Sequence, residues 1–199
     1  MILLIAVIVG LAAGFIRAVL ARRPYQPQSL QFIWLVFVAL FAQWLVFGFK
    51  PSSTAIPDEF ASIILVLSQF LLLIFAWKNR KVPGFWLLGV GLVLNLAVII
   101  FNRGWMPISP ETVRWLAPDA PPGTWQIGER LALGKDKVLL FEDTRLWILS
   151  DHLRTPGWFM FRTAYSIGDV LIAMGAIWLL WCVGGPINHP QEKEVHDDS

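Results

Sequence analysis

Five stretches of this chain, at 1–21, 30–49, 60–77, 82–101 and 163–184, hold only two charged residues between them, Arg17 and Asp169. Each approaches the length a helix needs to cross a bilayer, roughly 20 apolar residues at about 1.5 Å rise. The third is the shortest, but Asp58 and Glu59 precede it and Lys78, Asn79, Arg80 and Lys81 follow it. Only 15% of the 199 residues are charged and 56% are hydrophobic, against about 25% charge in an ordinary soluble domain. The deficit lies in the apolar stretches, whereas the segment 103–162 is charged like soluble protein. That mosaic predicts an all-α membrane protein, a bundle of about five transmembrane helices.

The expected division is four transmembrane helices in 1–101 and an extracytoplasmic, membrane-associated segment in 102–162. A fifth transmembrane helix follows in 163–185, then a flexible cytoplasmic tail in 186–199. The first stretch could be read as a signal peptide, but no positive charge precedes it and Arg17, Arg22 and Arg23 come late. A cleaved signal has the opposite order, so a retained helix is expected. Arg22 and Arg23 end the first span and Lys78, Arg80 and Lys81 end the third, while the short loop 50–59 has one lysine against two acids. The positive-inside rule then places the N-terminus outside and the acidic tail, with His189 and His196, in the cytoplasm. The outer segment carries eight basic and seven acidic residues, and long segments cross regardless of charge. Trp34, Trp77, Trp86, Trp105 and Trp158 fall near span ends, where an indole can bury its ring and keep its N–H wet.

Several classes are disfavoured. A net charge of +2 with no basic stripe does not suit nucleic acid. One cysteine, Cys182, permits no internal disulfide and no CxxC site. No HExxH, GxSxG, P-loop, usable GxGxxG or haem-spaced histidine pair occurs, so neither a metal nor a cofactor is expected.

The outer segment opens with Gly104, Pro107, Pro110, Pro118, Pro121 and Pro122, which forbid a long helix. A short one is expected from Ser109, with Pro110 at its first position. The apolar runs 138–141 and 146–149 fit either a β-hairpin or one interfacial amphipathic helix. The whole segment is too short and apolar for an independent soluble domain.

Asp169 stands out, about six positions inside the fifth predicted span, because an ionised carboxylate in hydrocarbon needs partners. Ser166 lies one turn earlier, Gly168 permits close backbone approach, and Asn95 and Asn102 share a side of the fourth span. A polar intramembrane cluster of Asn95, Asn102, Ser166 and Asp169 is expected, either stapling two helices or forming a ligand or proton site. Ser150, Asp151 and His152 are adjacent, which is not triad geometry, and a turn back to the membrane before Pro156 is the simpler reading. Gly10 and Gly14 form a GxxxG close-packing motif, and Arg17 can snorkel.

The run Asn102-Arg103-Gly104-Trp105-Met106-Pro107, then Leu149-Ser150-Asp151 with Pro156, then Ser166-Ile167-Gly168-Asp169, resembles a bacterial integral-membrane family classed as a domain of unknown function. Its pattern is Asn-x-Gly-x-Met-Pro, a Leu-Gly-Asp-like element followed by proline, and Ser-x-Gly-Asp. Ser150 stands where a glycine is usual. The resemblance implies a multi-pass protein of the bacterial cytoplasmic membrane and singles out Gly104, Met106, Pro107, Asp151, His152 and Pro156 as an outer-segment motif. It implies no catalytic role. The expected function is binding of a ligand or protein partner at the outer face. The alternatives are an accessory subunit of a larger membrane complex, a membrane enzyme acting on a lipid-linked substrate, or a small transporter. The expected partners are the lipid bilayer and other membrane proteins.

Overall fold

The computed structural model describes residues 2–22, 24–25, 29–48, 56–121, 123–131 and 134–183. Arg23, Lys50, Pro122, the tail 186–199 and its histidines lie outside the described residues.

The chain is mostly helical. Helix α1 spans Ile2–Leu20, and α2 spans Trp34–Gln43 and runs on as a π-helical turn, Trp44–Gly48. Helix α3 is Asp58–Lys78 and α4 is Phe85–Phe101. Strand β1 (Met106–Ile108), the short helix α5 (Pro110–Leu116) and strand β2 (Asp136–Val138) follow. A 3-10 turn (Trp147–Leu149), strands β3 (Leu153–Arg154) and β4 (Ala164–Tyr165), and helix α6 (Ile167–Val183) complete the order. By length and composition α1 and α3 can each cross a membrane; α4, α6 and α2 with its π turn are shorter apolar helices.

These helices are apolar on every side. Leu4, Ile8 and Phe15 of α1, Phe37 and Phe41 of α2, and Phe60 and Leu67 of α3 are exposed. So are Trp86 and Val93 of α4 and Met174 and Trp178 of α6. A helix packed on a water-soluble core shows one apolar stripe instead. Helix polarity is well served in α3, with Asp58 and Glu59 in its first turn and Lys78 in its last, where they complement the helix dipole.

The helices contact one another in the order α1, α6, α4, α3, α2. Small residues set the α6 contacts. A Cβ on Gly91 would lie 2.5 Å from the Gly168 carbonyl oxygen, and one on Gly175 would lie 2.7 Å from the Gly84 carbonyl oxygen. These two close approaches are seven residues apart on each antiparallel helix, two turns, so they share one face. On the other side of α6, a Cβ on Gly10 would come within 3.0 Å of Ile177 Cα, and one on Gly14 would run into the Leu180 carbonyl. The GxxxG expected of α1 therefore packs against α6. Arg17 reaches across the same seam, donating to the Trp181 carbonyl (3.2 Å) with its guanidinium over that indole. Between α2 and α3, Gln43 donates to Ser68 Oγ at 2.7 Å.

The segment between α4 and α6 is a cap fused to the helix ends. Met106 joins Leu65, Val98 and Ile99 in one buried cluster, and Trp105 joins Val46 and Ala61 in another. A third cluster, Ile108, Val113 and Val138, lies within the cap. As expected, Ser109 caps α5 by accepting from Thr112 N, with Pro110 in its first turn.

Three expectations need correction. The fold is not purely α, because β1 pairs in parallel with β2 and β3 pairs antiparallel with β4. The stretch 138–149 is neither hairpin nor amphipathic helix. Val138 pairs with Ile108, backbone turns close at Asp143 and Thr144, and Trp147–Leu149 is a single 3-10 turn. The partner of β2 is some 30 residues away in the chain, beyond anything a local pattern reveals. Finally, Trp105 is buried, 3% exposed, rather than wet, and lies beneath the cations of Arg130 and Lys137.

Gly91→Ala is expected to lower stability by about 1–3 kcal/mol, the usual cost of overpacking. Gly89→Ala, whose Cβ would meet only Ala76 at 3.9 Å, is expected to be neutral or stabilising. Reversible unfolding in detergent measures both, and equal losses at the two positions would contradict the glycine-set crossing.

Candidate functional site

The start of α6 is built from two side chains that serve each other's backbone. Ser166 Oγ accepts from Asp169 N (3.0 Å), and Asp169 Oδ2 accepts from Ser166 N (3.2 Å). This is a capping box with aspartate at its third position. Asn95 then ties the cap to α4. Its Nδ2 donates to Asp169 Oδ1 at 2.8 Å, and its Oδ1 accepts from Ser166 Oγ at 2.8 Å. Asn95 and Ser166 are buried, and a Cβ on Gly168 would run into Asn95 Oδ1. Three of the four expected cluster members thus meet. Asp169, however, sits in the first turn of α6, not six residues deep, because 164–165 forms β4 and the capping box starts the helix.

Asn102 does separate work. Its Nδ2 donates to the carbonyls of Val98 and Arg145 (2.8 Å each), and its Oδ1 accepts from Arg145 N at 2.9 Å. It therefore clamps the loop at 145 to the end of α4. Arg103 at φ +59° and Gly104 at φ +85° follow, and Gly104 N donates to Ile99 O at 2.8 Å, closing a Schellman turn. Gly104 also presses on α3, since a Cβ there would lie 2.6 Å from Ser62 Cβ. Met106 is wholly buried, and the Pro107 carbonyl accepts from Asp151 N. The motif residues Asn102 to Pro107 thus join helix end to cap.

Asp151 leads to a charged centre that sequence reasoning missed. Lys135 Nζ donates to Asp151 Oδ2 at 2.8 Å and lies 3.4 Å from Asp136 Oδ1. Asp151 is 4% exposed and its Oδ1 has no hydrogen-bond partner. Asp169 adds its charge to the field on both groups. One ammonium therefore pairs with two carboxylates, and the charge of a third acts on them from farther off. Burial tends to lower the Lys135 pKa, but Asp151, Asp136 and Asp169 outweigh it and hold the group well above the ordinary lysine value. Burial, opposed by Lys135 and reinforced by the other two aspartates, pushes Asp151 up to about 7. Lys135 escaped notice because Lys135-Asp136-Lys137 reads as a solvated charge run; its partner Asp151 lies 16 residues on.

His152 turns elsewhere. Its Nδ1 lies 3.0 Å from the Ser150 carbonyl and its ring meets Trp147 edge-on. Ser150 Oγ donates to the Trp147 carbonyl. Ser150, Asp151 and His152 thus diverge, and Pro156 is exposed in the β3–β4 turn. Among the described residues no cluster of three or more His, Cys, Asp or Glu is placed to hold a metal ion.

A cleft of about 630 Å³ opens beside this framework, between the ends of α3 and α4 and the cap. Asp58, Glu59, Arg103, Lys137, Asp143 and Arg145 line it. Asp58 is engaged by Arg130 (3.5 Å) and Lys137 (3.7 Å). Arg130 in turn lies over the rings of Phe47 and Trp105. Among the described residues Arg103 and Arg145 make no ion pair.

Residues 28–181 match a family of unknown function, DUF5317, and the chain belongs to it. No curated protein and no solved structure matches the chain.

Two measurements probe the framework. A double-mutant cycle of Asn95→Ala and Asp169→Ala is expected to give a coupling of about 0.6–2 kcal/mol, the range for interhelical hydrogen bonds; additive losses would mean the bond contributes nothing. The second concerns pH. Asp151 binds its proton more tightly folded, at about 7, than unfolded, near its ordinary 3.8. Its contribution to stability is therefore complete below about pH 4 and is lost as pH rises through about 7. Subtracting the Asp151→Asn thermal-midpoint profile from the wild-type one should leave a fall across that window; a flat difference would refute it.

Proposed function

We propose that this DUF5317 member is a multi-pass protein of the bacterial cytoplasmic membrane with five spans, its cap on the outer face, and that it binds a small polar ligand in the cleft beneath that cap. Five apolar helices side by side, each with large apolar residues facing outward, support the membrane reading, since such surface finds its solvent in lipid. Helices α4 and α6 have 17 residues each, at the lower end of what spans hydrocarbon, roughly 17–25 residues. Charge segregation agrees. No acid occurs before Asp58 or between Glu59 and Phe101, whereas Arg17 and Lys78 lie in the last turns of α1 and α3 and Arg22, Arg80 and Lys81 just beyond them. The positive-inside rule puts those ends in the cytoplasm.

The observation that carries the binding reading is the cleft itself. Its volume, about 630 Å³, falls within the range of small-ligand sites, about 300–1,000 Å³. Arg103 is held in a left-handed conformation by the Schellman turn, and the Asn102 clamp anchors the backbone of Arg145. Both cations are thus carried on fixed backbone, and Glu59 and Asp143 line the same cleft. That pattern suits a ligand with an anionic group and a cationic or hydroxyl group. The enzyme reading gains less support, because Asp151 is committed to Lys135 and His152 to the Ser150 carbonyl. An accessory-subunit role is favoured by one feature, the β3–β4 turn, where Trp158 and Met160 are 83% and 82% exposed.

Topology is tested in a Cys182→Ser background with single cysteines. Gln126→Cys is expected to react with an impermeant maleimide in intact cells, and Lys81→Cys only after permeabilisation; the reverse pattern would overturn the orientation. For the cleft, glutamate, glycine betaine and inorganic phosphate are titrated while the thermal midpoint in detergent is followed. A solute that binds raises the midpoint through linkage, and Arg103→Gln with Arg145→Gln is expected to abolish that rise. No shift with any solute, or a shift that survives the double variant, would reject the site.

A further inference from the structure

A second cavity lies at the opposite end of the α3–α4 pair, remote from the cap. It is an almost wholly apolar groove of about 470 Å³ between the last turns of α3 and the first turns of α4. Buried Ala76 and Phe85 line it, together with the exposed indoles of Trp77 and Trp86. Arg80 also lines the groove, donating to the Trp77 carbonyl (3.0 Å) with its guanidinium 4.6 Å from the centre of that indole.

Gly89 adds an independent sign. Gly91, Gly168 and Gly175 lack side chains because a neighbouring backbone occupies the space. Gly89 has only Ala76 Cβ within reach, at 3.9 Å, yet glycine inside a helix costs about 1 kcal/mol relative to alanine. No protein group among the described residues explains that sacrifice. What the missing side chain does is deepen the groove.

The charge around the groove selects its occupant. Lys78, Arg80 and Lys81 fall within four residues, and among the described residues none of the three makes an ion pair. No carboxylate occurs anywhere from Phe60 to Phe101. An apolar slot beside unopposed cations complements an amphiphile with an anionic head. We propose that the groove binds one acyl chain of an anionic phospholipid of the cytoplasmic leaflet, with its phosphate on Arg80 and the neighbouring lysines. This rests on the five-span reading, which puts the groove in that leaflet. The planar guanidinium, steadied by Trp77, suits bidentate phosphate contact.

The test is native mass spectrometry of the intact protein, released from vesicles containing equal phosphatidylglycerol and phosphatidylcholine of the same chain length. Preferential retention of phosphatidylglycerol is expected. Arg80→Gln should weaken it about fivefold, the scale for one basic residue at an anionic surface, and Gly89→Leu should abolish it by filling the slot. Arg80→Gln alters a half-exposed side chain outside the buried clusters, so it keeps the test decisive should Gly89→Leu fold poorly. Equal retention of the two lipids, or retention unchanged in Arg80→Gln, would overturn the proposal. So would displacement of phosphatidylglycerol by oleate, which marks a fatty-acid site, or by a co-purifying helix. Cysteine labelling separates the two levels. If Lys81→Cys reacts only after permeabilisation but phosphatidylglycerol is not preferred, the lipid site alone is wrong. If that labelling pattern fails, the membrane orientation is wrong as well.

Discussion

The contact between α4 and α6 governs most of what surrounds it. Glycines at 84, 91, 168 and 175 let the two backbones approach until a methyl group would not fit. That approach brings Asn95 over the start of α6, where its amide bridges the Ser166 and Asp169 side chains. Dispersion and interhelical hydrogen bonding both need this separation. The consequence reaches further. With α6 begun at Ile167, the preceding residues are free to form β4 against β3, which positions the return of the cap.

The cap is held by a different kind of force. Its own apolar cluster is small, and Met106 and Trp105 borrow the helical clusters beneath them. The remaining cohesion is polar: the Asn102 clamp on Arg145, the Pro107 carbonyl on Asp151 N, and Lys135 paired with Asp136 and Asp151. Asp151 is the buried half of its pair and Lys135 the half-exposed one, so removing the lysine is the costly change, because it strands a charge out of water. The Lys135–Asp151 pair ties the residue before β2 to the turn before β3. The same rigidity places Arg103 and Arg145 at the rim of the proposed ligand cleft.

Much of this was legible in one dimension because it is local. The five apolar stretches became five helices, with ends moved by a few residues. Ser109-Pro110 announced α5 through its own capping chemistry. Asn95, Ser166 and Asp169 could be paired because depth along two antiparallel helices is arithmetic. The failures share a cause. Asn102 lies seven residues from Asn95, but helix α4 ends at Phe101 and the Asn102 side chain serves a loop 43 residues away. Lys135 looked like a solvated charge because nothing near it in the chain hints at Asp151. The pairing of 138 with 108 was equally invisible.

The sequence by itself determined that this polypeptide is helical, where its helices lie, and which of their residues can tolerate close approach, since hydropathy, capping and glycine spacing act within a few turns. Only the tertiary structure decided that α6 inserts between α1 and α4, that Lys135 pairs with the distant Asp151, and that two clefts open at opposite ends of α3 and α4. Those outcomes depend on which distant segments come to share a small volume, and on burial strengthening charges that water would have screened.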